Sequence, residues 1–230
     1  MPGIQVFIAH PDDETVCSGL LIKLAQQGIQ VHLVVATRGE GSGVPKPGLT
    51  LGETREGEMK KAASVIGATS LDFMGLVDKP WDGKGQAPDH DPETVRRQVI
   101  SLIQQFNPDI VLTHGSSGEY GHEGHLMMHA RVKEAAKTLG TVAPPLYSFM
   151  AWNPERPSMF GPGAGNRNDP ADLTIDVSAY VDTMQKAVRC HLSQELSKIQ
   201  IKPPVFESFH RQWPEGVSAP DDVMIRWSAV

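Results

Sequence analysis

The hydrophobic positions of this chain follow two periods in turn. Val6-Phe7-Ile8-Ala9 is an apolar run of strand length, and Val16, Leu20, Leu24 and Ala25 then recur at helical spacing up to Gly28, a suitable helix C-terminus. A second apolar run over 31–36 reads as a buried strand and completes a βαβ unit. Six Gly and Pro residues between Gly39 and Gly48 predict a loop, and 53–66 predicts an amphipathic helix with Met59, Ala62, Ala63 and Ile66 facing inward. A third strand is expected over 71–74 and a loop over 75–90. Asp91-Pro92 then opens a helix whose apolar face is Val95, Val99, Leu102, Ile103 and Phe106. Asn107-Pro108 ends it, 109–113 is a fourth strand, a helix runs over about 123–139, and 146–151 is a fifth strand. The segment 153–172 is rich in Pro and Gly, so a long loop and candidate lid is expected there. A helix is predicted over 181–191, and the tail from Lys202 shows no assignable pattern.

Strands alternating with helices at this spacing predict an α/β fold. The expected form is a three-layer Rossmann-like sandwich, with a mostly parallel sheet, helices on both faces and right-handed crossovers. The doubly wound order places the fourth strand beside the first, so their C-terminal ends flank a crevice of the kind in which such folds bind ligands. At 230 residues the expectation is one domain over 1–230.

Composition narrows the partners. The chain is 40% hydrophobic and 21% charged with a net charge of -6, and its Lys and Arg are scattered, which argues against a nucleic acid or an anionic membrane surface. A small molecule is the expected partner, and a homo-oligomer is compatible with the composition. No apolar run nears the roughly 18 residues that span a bilayer, and the N-terminus lacks a basic segment followed by an apolar one, so a cytoplasmic location is expected. Cys17 and Cys190 have neither metal-site nor redox-motif spacing and read as buried thiols.

The candidate chemistry begins where the first strand ends, at His10-Pro11-Asp12-Asp13-Glu14. Acidic residues there suit a helix N-terminus, but capping explains neither the His nor three consecutive carboxylates. His10 and Asp13 are donors of the type that binds a divalent transition metal, and Asp12 between them is placed to take a proton from an activated water. A second cluster, His114 to His125, lies between the fourth strand and its helix and offers a third ligand. His122 and His125 are spaced i,i+3, so one can bind a metal while the other faces the open position, and His125 and His129 are i,i+4, which also suits a metal if the helix has begun by then. His122-Glu123-Gly124-His125 is one residue short of the zincin pattern, and Gly39-x-Gly41-x-Gly43 follows the wrong strand for a dinucleotide fingerprint.

Ala9-His10-Pro11-Asp12-Asp13-Glu14 with Gly118-Glu119-Tyr120-Gly121-His122-x-x-His125 resembles the LmbE-like, or PIG-L, family of zinc-dependent de-N-acetylases. Thr37-x-Gly39-Glu40, Arg55 and His191-x-Ser193-Gln194 fall where that family has similar residues. The resemblance implies one Zn²⁺ per chain, with other divalent transition metals compatible, held by His10, Asp13 and His125. It also implies Asp12 as general base, a protonated His122 that stabilises the oxyanion, and Arg55 on substrate hydroxyls. Where the family has His-Pro-Asp-His this chain has Glu123-Gly124 between the histidines, which keeps the ligand spacing, and the role of the inner acid is not carried over. The implied substrate is a small molecule containing N-acetylglucosamine. Glu40, beside Arg38, and Asp78, near Asp82, join Arg55 as candidate substrate-binding residues, and Trp81 and Trp152 are candidates to stack on a sugar. The alternative is a metal-dependent hydratase or lyase on a carboxylated substrate, which requires more than one arginine near the metal, where Arg55 and Arg38 are the candidates.

Overall fold

The computed structural model describes residues 1–83, 85–155, 165–194, 203–216 and 223–228. The central strand β1 (Gly3–Ile8) is buried along its whole length and pairs in parallel with β2 (Gln30–Thr37) on one side and β4 (Ile110–Thr113) on the other. Outside β2 lies β3 (Ser70–Leu76), and outside β4 lies β5 (Leu146–Phe149), both parallel. These are the five expected strands in the expected doubly wound order.

Side-chain alternation divides the core into two layers. Ile4, Val6 and Ile8 of β1 and Val31, Leu33 and Val35 of β2 pack with Leu20, Leu24, Met59, Ile66 and Met184. Those last residues belong to α1 (Ser18–Gln26), α2 (Leu51–Ile66) and α6 (Val181–Val188). Phe7, Val34 and Ala36 face the opposite way, against Val95, Val99 and Ile103 of α3 (Pro92–Phe106) and Met128 and Val132 of α5 (Glu123–Leu139). The helix boundaries follow local chemistry. Thr50 and Glu53 form a capping box on α2, Asp91 caps α3 with Pro92 at its first position, and Gly67 ends α2 at φ 85.

Three expectations are revised. The helix after β1 starts late, because 13–16 form a 3-10 turn and α1 begins only at Ser18. The tail contributes β9 (Phe206–Trp213), which runs antiparallel to β5 and, on its far edge, to β8 (Leu173–Asp176), so the main sheet has seven strands. The expected loop and lid over 153–172 contains β7 (Asn166–Pro170), paired with β6 (Ala151–Trp152). Asn166 and Asp169 of β7 are buried, so this part is anchored and is not a lid, while 156–164 lie outside the described residues.

One contact ties the tail to the start of α1. Glu207 of β9 accepts the Gly19 and Leu20 N–H groups at 2.8 and 2.9 Å. Burial pushes its carboxyl up to about 8, against the opposing pull of those two donors. An unfolded Glu ionises near 4.5, so between about 4.5 and 8 the folded chain holds a proton that the unfolded chain has lost. Glu207 therefore makes stability fall as pH rises through that window, by on the order of a few kcal/mol in total. Melting temperatures between pH 5 and 9 should fall more steeply for the wild type than for Glu207→Gln. Equal slopes would exclude Glu207 as the source.

Candidate metal centre and active-site cleft

The ends of β1 and β4 meet at the expected crevice. Its lining includes His10, Asp12, Asp13, Arg55, Asp78, Trp81, Gly85, Tyr120 and His122, around an open cleft of about 490 Å³ counting the solvent at its mouth. That is ample for a sugar-sized ligand.

The turn after β1 sets the first half of the site. Asp13 Oδ2 accepts the His10 N–H at 2.7 Å, which folds its carboxylate back beside the His10 ring. Asp13 Oδ1 then lies 3.2 Å from His125 Nε2. The second half comes from the β4–α5 loop. His114 accepts the Ala9 N–H on Nε2 and so donates through Nδ1 to Glu119 Oε2 at 2.9 Å. The same carboxylate oxygen takes His125 Nδ1 at 2.5 Å, which turns the Nε2 of His125 toward Asp13 and His10. Glu119 reaches this position through a left-handed backbone (φ 59) that Asn166 of β7 clamps. Asn166 accepts the Glu119 N–H and donates to Glu119 Oε1 and to the Phe149 carbonyl.

His10, His122 and His125 offer ring nitrogens within 4.8 Å of one another, and Asp13 with His114 and His125 forms an overlapping group. The His114 Nε2 lone pair is already taken by Ala9, so His114 orients the site. His10 Nε2 and His125 Nε2 are buried with no hydrogen-bond partner among the described residues, although Asp78 Oδ1 and Asp13 Oδ1 lie 3.5 and 3.2 Å away. Two orphaned nitrogens beside buried carboxylates fit a divalent cation. Burial opposes a charge on His125, but Asp13 and Glu119 outweigh it and raise the ring to about 10. Burial likewise opposes the Asp13 anion, and His125 and His10 hold it well below the ordinary carboxylate range.

Asp12 flanks these groups. Its carboxyl is raised by burial, against the opposing Arg55 guanidinium 3.3 Å away. Arg55 lines the cleft but spends both terminal nitrogens on structure, donating to the Pro11, Gly39 and Ser42 carbonyls. Asp78 lines the cleft and accepts the Gly41 N–H. Glu40 is not part of the lining. It pairs with Arg38 and accepts the Asp78 N–H, so it supports the loop that carries Asp78. His129 turns away to the His114 carbonyl. Trp152 lies under Arg167 outside the cleft, whereas Trp81 is 52% exposed at the cleft, roughly parallel to the His122 ring.

His122 departs from expectation in its charge. Burial, with His125 and His10 beside it, depresses the ring to about 4, so at neutral pH it is an imidazole and not an imidazolium. Its Nδ1 accepts the Gly124 N–H and caps α5, which leaves the proton on Nε2. Glycine is needed on both sides of this ring. A Cβ at Gly85 would fall 2.1 Å from Nε2, and one at Gly124 would lie 3.0 Å from the His10 ring and 3.2 Å from His122. Sequence reasoning missed Glu119, His114 and Asn166 as orienting groups. Glu119 did stand in a recognised motif, but its role depends on a backbone angle.

A sequence model described as GlcNAc-PI de-N-acetylase (PIG-L) matches residues 5–136. The 1D-myo-inositol 2-acetamido-2-deoxy-alpha-D-glucopyranoside deacetylase of Thermomonospora curvata is 34% identical over 152 residues, covering 57% of this chain and 50% of that protein. The chain thus matches about half the length of that relative. The Corynebacterium diphtheriae protein of the same name is 31% identical over 218 residues, 81% of this chain and 74% of that protein. Among solved structures, N,N'-diacetylchitobiose deacetylase from Pyrococcus horikoshii has a TM-score of 0.65 at 15% identity, covering 96% and 88% of the two chains. The 4-carboxy-2-hydroxymuconate hydratase of Pseudomonas putida has a TM-score of 0.68 at 20% identity, covering 95% and 99%. At these identities the solved structures show a common fold alone. The matched span includes both histidine clusters, and this chain belongs to the GlcNAc-PI de-N-acetylase family.

Proposed function

We propose that the protein hydrolyses the N-acetyl group of a small molecule containing N-acetylglucosamine, releasing acetate and a free amine, with Zn²⁺ held by His10, Asp13 and His125. The observation that carries this reading is the pair of orphaned, buried nitrogens on His10 and His125, with Asp13 Oδ1 beside His125 Nε2 and Asp12 alongside. A divalent cation bound there lowers the pKa of water and polarises an amide carbonyl. Asp12, with its raised affinity for a proton, is the general base that takes a proton from the attacking water and later delivers one toward the departing nitrogen. The neutral Nε2–H of His122 donates to the carbonyl oxygen as it gains charge. Arg55 keeps a positive charge beside Asp12. Asp78 is assigned to substrate hydroxyls, Glu40 to the loop behind it, and Trp81 to an apolar face of the sugar.

The hydratase alternative finds less support. Among the described residues Arg55 is the one arginine lining the cleft, and Arg38 is engaged outside it with Glu40 and Glu56. That leaves no arginine cluster to hold several carboxylates. No helix among the described residues is long and apolar enough to cross a membrane.

Replacing His10, Asp13 or His125 by Ala should remove both bound metal and acetate release from N-acetyl sugars. Asp12→Ala should retain metal by elemental analysis and lose on the order of 10²-fold or more in turnover. Full metal occupancy in all three ligand variants would refute the assigned set.

In the metal-free protein, nitrogen chemical shifts of His122 should report the neutral Nε2–H tautomer at pH 7, with protonation only near pH 4. An imidazolium at pH 7 would restore the charged role for this residue.

Trp81→Ala should raise KM for N-acetyl sugars roughly 3- to 10-fold, the scale of a stacking contact, while kcat changes little. An unchanged KM would remove Trp81 from the substrate site.

A further inference from the structure

The proposed hydrolysis makes no use of one buried set of polar side chains, formed by Glu14, His191 and the residues that hold His191 in place. Asp12 sits at φ 108 and ψ -21, a left-handed conformation that residues with a Cβ seldom adopt. Such backbone persists where its surroundings over-determine it. Here the Asp12 carbonyl accepts from the Thr15 N–H at 3.0 Å and from the Thr15 hydroxyl at 2.6 Å. On the other side, the Asp12 N–H donates to Glu14 Oε2 at 3.0 Å.

The Thr15 contacts are local and move with the turn. Glu14 is different, because its other oxygen, Oε1, takes His191 Nε2 at 2.6 Å across 177 positions of the chain, and both side chains are fully buried. His191 stands just past the end of α6, and its neighbours fasten that corner to the rest of the site. The Ser193 N–H and hydroxyl donate to Glu58 of α2, and Gln194 Nε2 donates to the Ser42 carbonyl, which also receives Arg55. His191-x-Ser193-Gln194 is therefore a three-point anchor, and only its first point leads toward the base. Neither His191 nor Glu14 lines the cleft, so neither touches a bound substrate.

We infer that His191, acting through Glu14, is a positioning residue that holds the Asp12 turn and so aims the Asp12 carboxylate. The inference rests on Asp12 being the base of the proposed hydrolysis. It predicts a turnover effect that exists only while Asp12 has its carboxylate.

The test is a double-mutant cycle on the metal-loaded enzyme, with kcat, KM and metal content measured well below the melting temperature. His191→Phe removes the donor and should lower kcat about 10- to 100-fold, as for a displaced catalytic group, with KM within about twofold and metal retained. His191→Gln keeps an N–H donor and should recover most of that loss. In the Asp12→Ala background His191→Phe should lower kcat no further, whereas its effect on melting temperature should persist. If His191→Phe does not fold, His191→Asn, whose shorter amide cannot reach Glu14, takes its place in the same cycle. A kcat loss that is additive with Asp12→Ala, or a folded variant with wild-type kcat, would overturn the inference. Amide hydrogen exchange at Asp12 gives a readout independent of activity, expected at least about tenfold faster in His191→Phe than in wild type or His191→Gln, because the Glu14 acceptor loses its anchor. Unchanged exchange would also overturn it. A wild-type enzyme that releases no acetate from any N-acetyl sugar would fail the proposed function, while the exchange comparison would still decide whether His191 holds the turn.

Discussion

Buried negative charge at the end of β1 is the constraint on which the rest of this molecule depends. Asp12, Asp13, Glu14, Asp78 and Glu119 gather in or behind one crevice, and each loses most of its hydration there. An unpaired buried carboxylate is untenable, so every one of them has a named partner. Arg55 stands against Asp12, His125 against Asp13, His191 against Glu14, His114 and His125 against Glu119, and the Gly41 N–H against Asp78. The partners come from the β2–α2 loop, α2, the end of α6, the β4–α5 loop and α5. Neutralising this crevice therefore draws elements from most of the chain toward one point, and the point where compensation stays incomplete, between His10 and His125, is where a cation fits.

The parts legible in the sequence are those with a strong period or a contiguous motif. β1, β2, α2, α3 and α5 follow from apolar spacing and capping residues, and the switch-point crevice follows from their order. β7 and β9 do not, for a physical reason. Their buried positions are Asn166 and Asp169 in one, and Glu207 and Gln212 beside Phe209 in the other, so hydrogen bonding and not hydrophobicity places them. At the site, His10, Asp12, Asp13, His122 and His125 lie in two short motifs and could be singled out. Glu119 was within reach as a residue but not as an orienting group, because what it does depends on φ. The charge of His122 was beyond reach, since it is set by the burial of the ring and by two other histidine rings that only the fold brings against it.

The same fold accommodates a hydratase and a deacetylase among solved structures, so the architecture itself does not choose the reaction. What bears on the reaction in this chain is local. One buried arginine is committed to backbone carbonyls and to Asp12, an exposed Trp stands at the mouth, and glycines at 85 and 124 let the rings of His10 and His122 close up. Most of these groups sit on loops at the C-terminal ends of strands, where such folds vary most freely.

The antiparallel pairing of β9 with β5 bears on how much of the chain is needed to make an active unit. The family match ends at residue 136, inside α5. A fragment ending there would expose β4 as a bare parallel edge, open to pairing with other chains. It would also leave the first N–H groups of α1 without Glu207, Glu119 without its Asn166 clamp and Glu14 without its histidine. The candidate site residues thus lie before position 136, and part of what holds them in place comes after it. Removing the C-terminal third would keep every expected ligand and still be expected to yield an aggregation-prone, misaligned site.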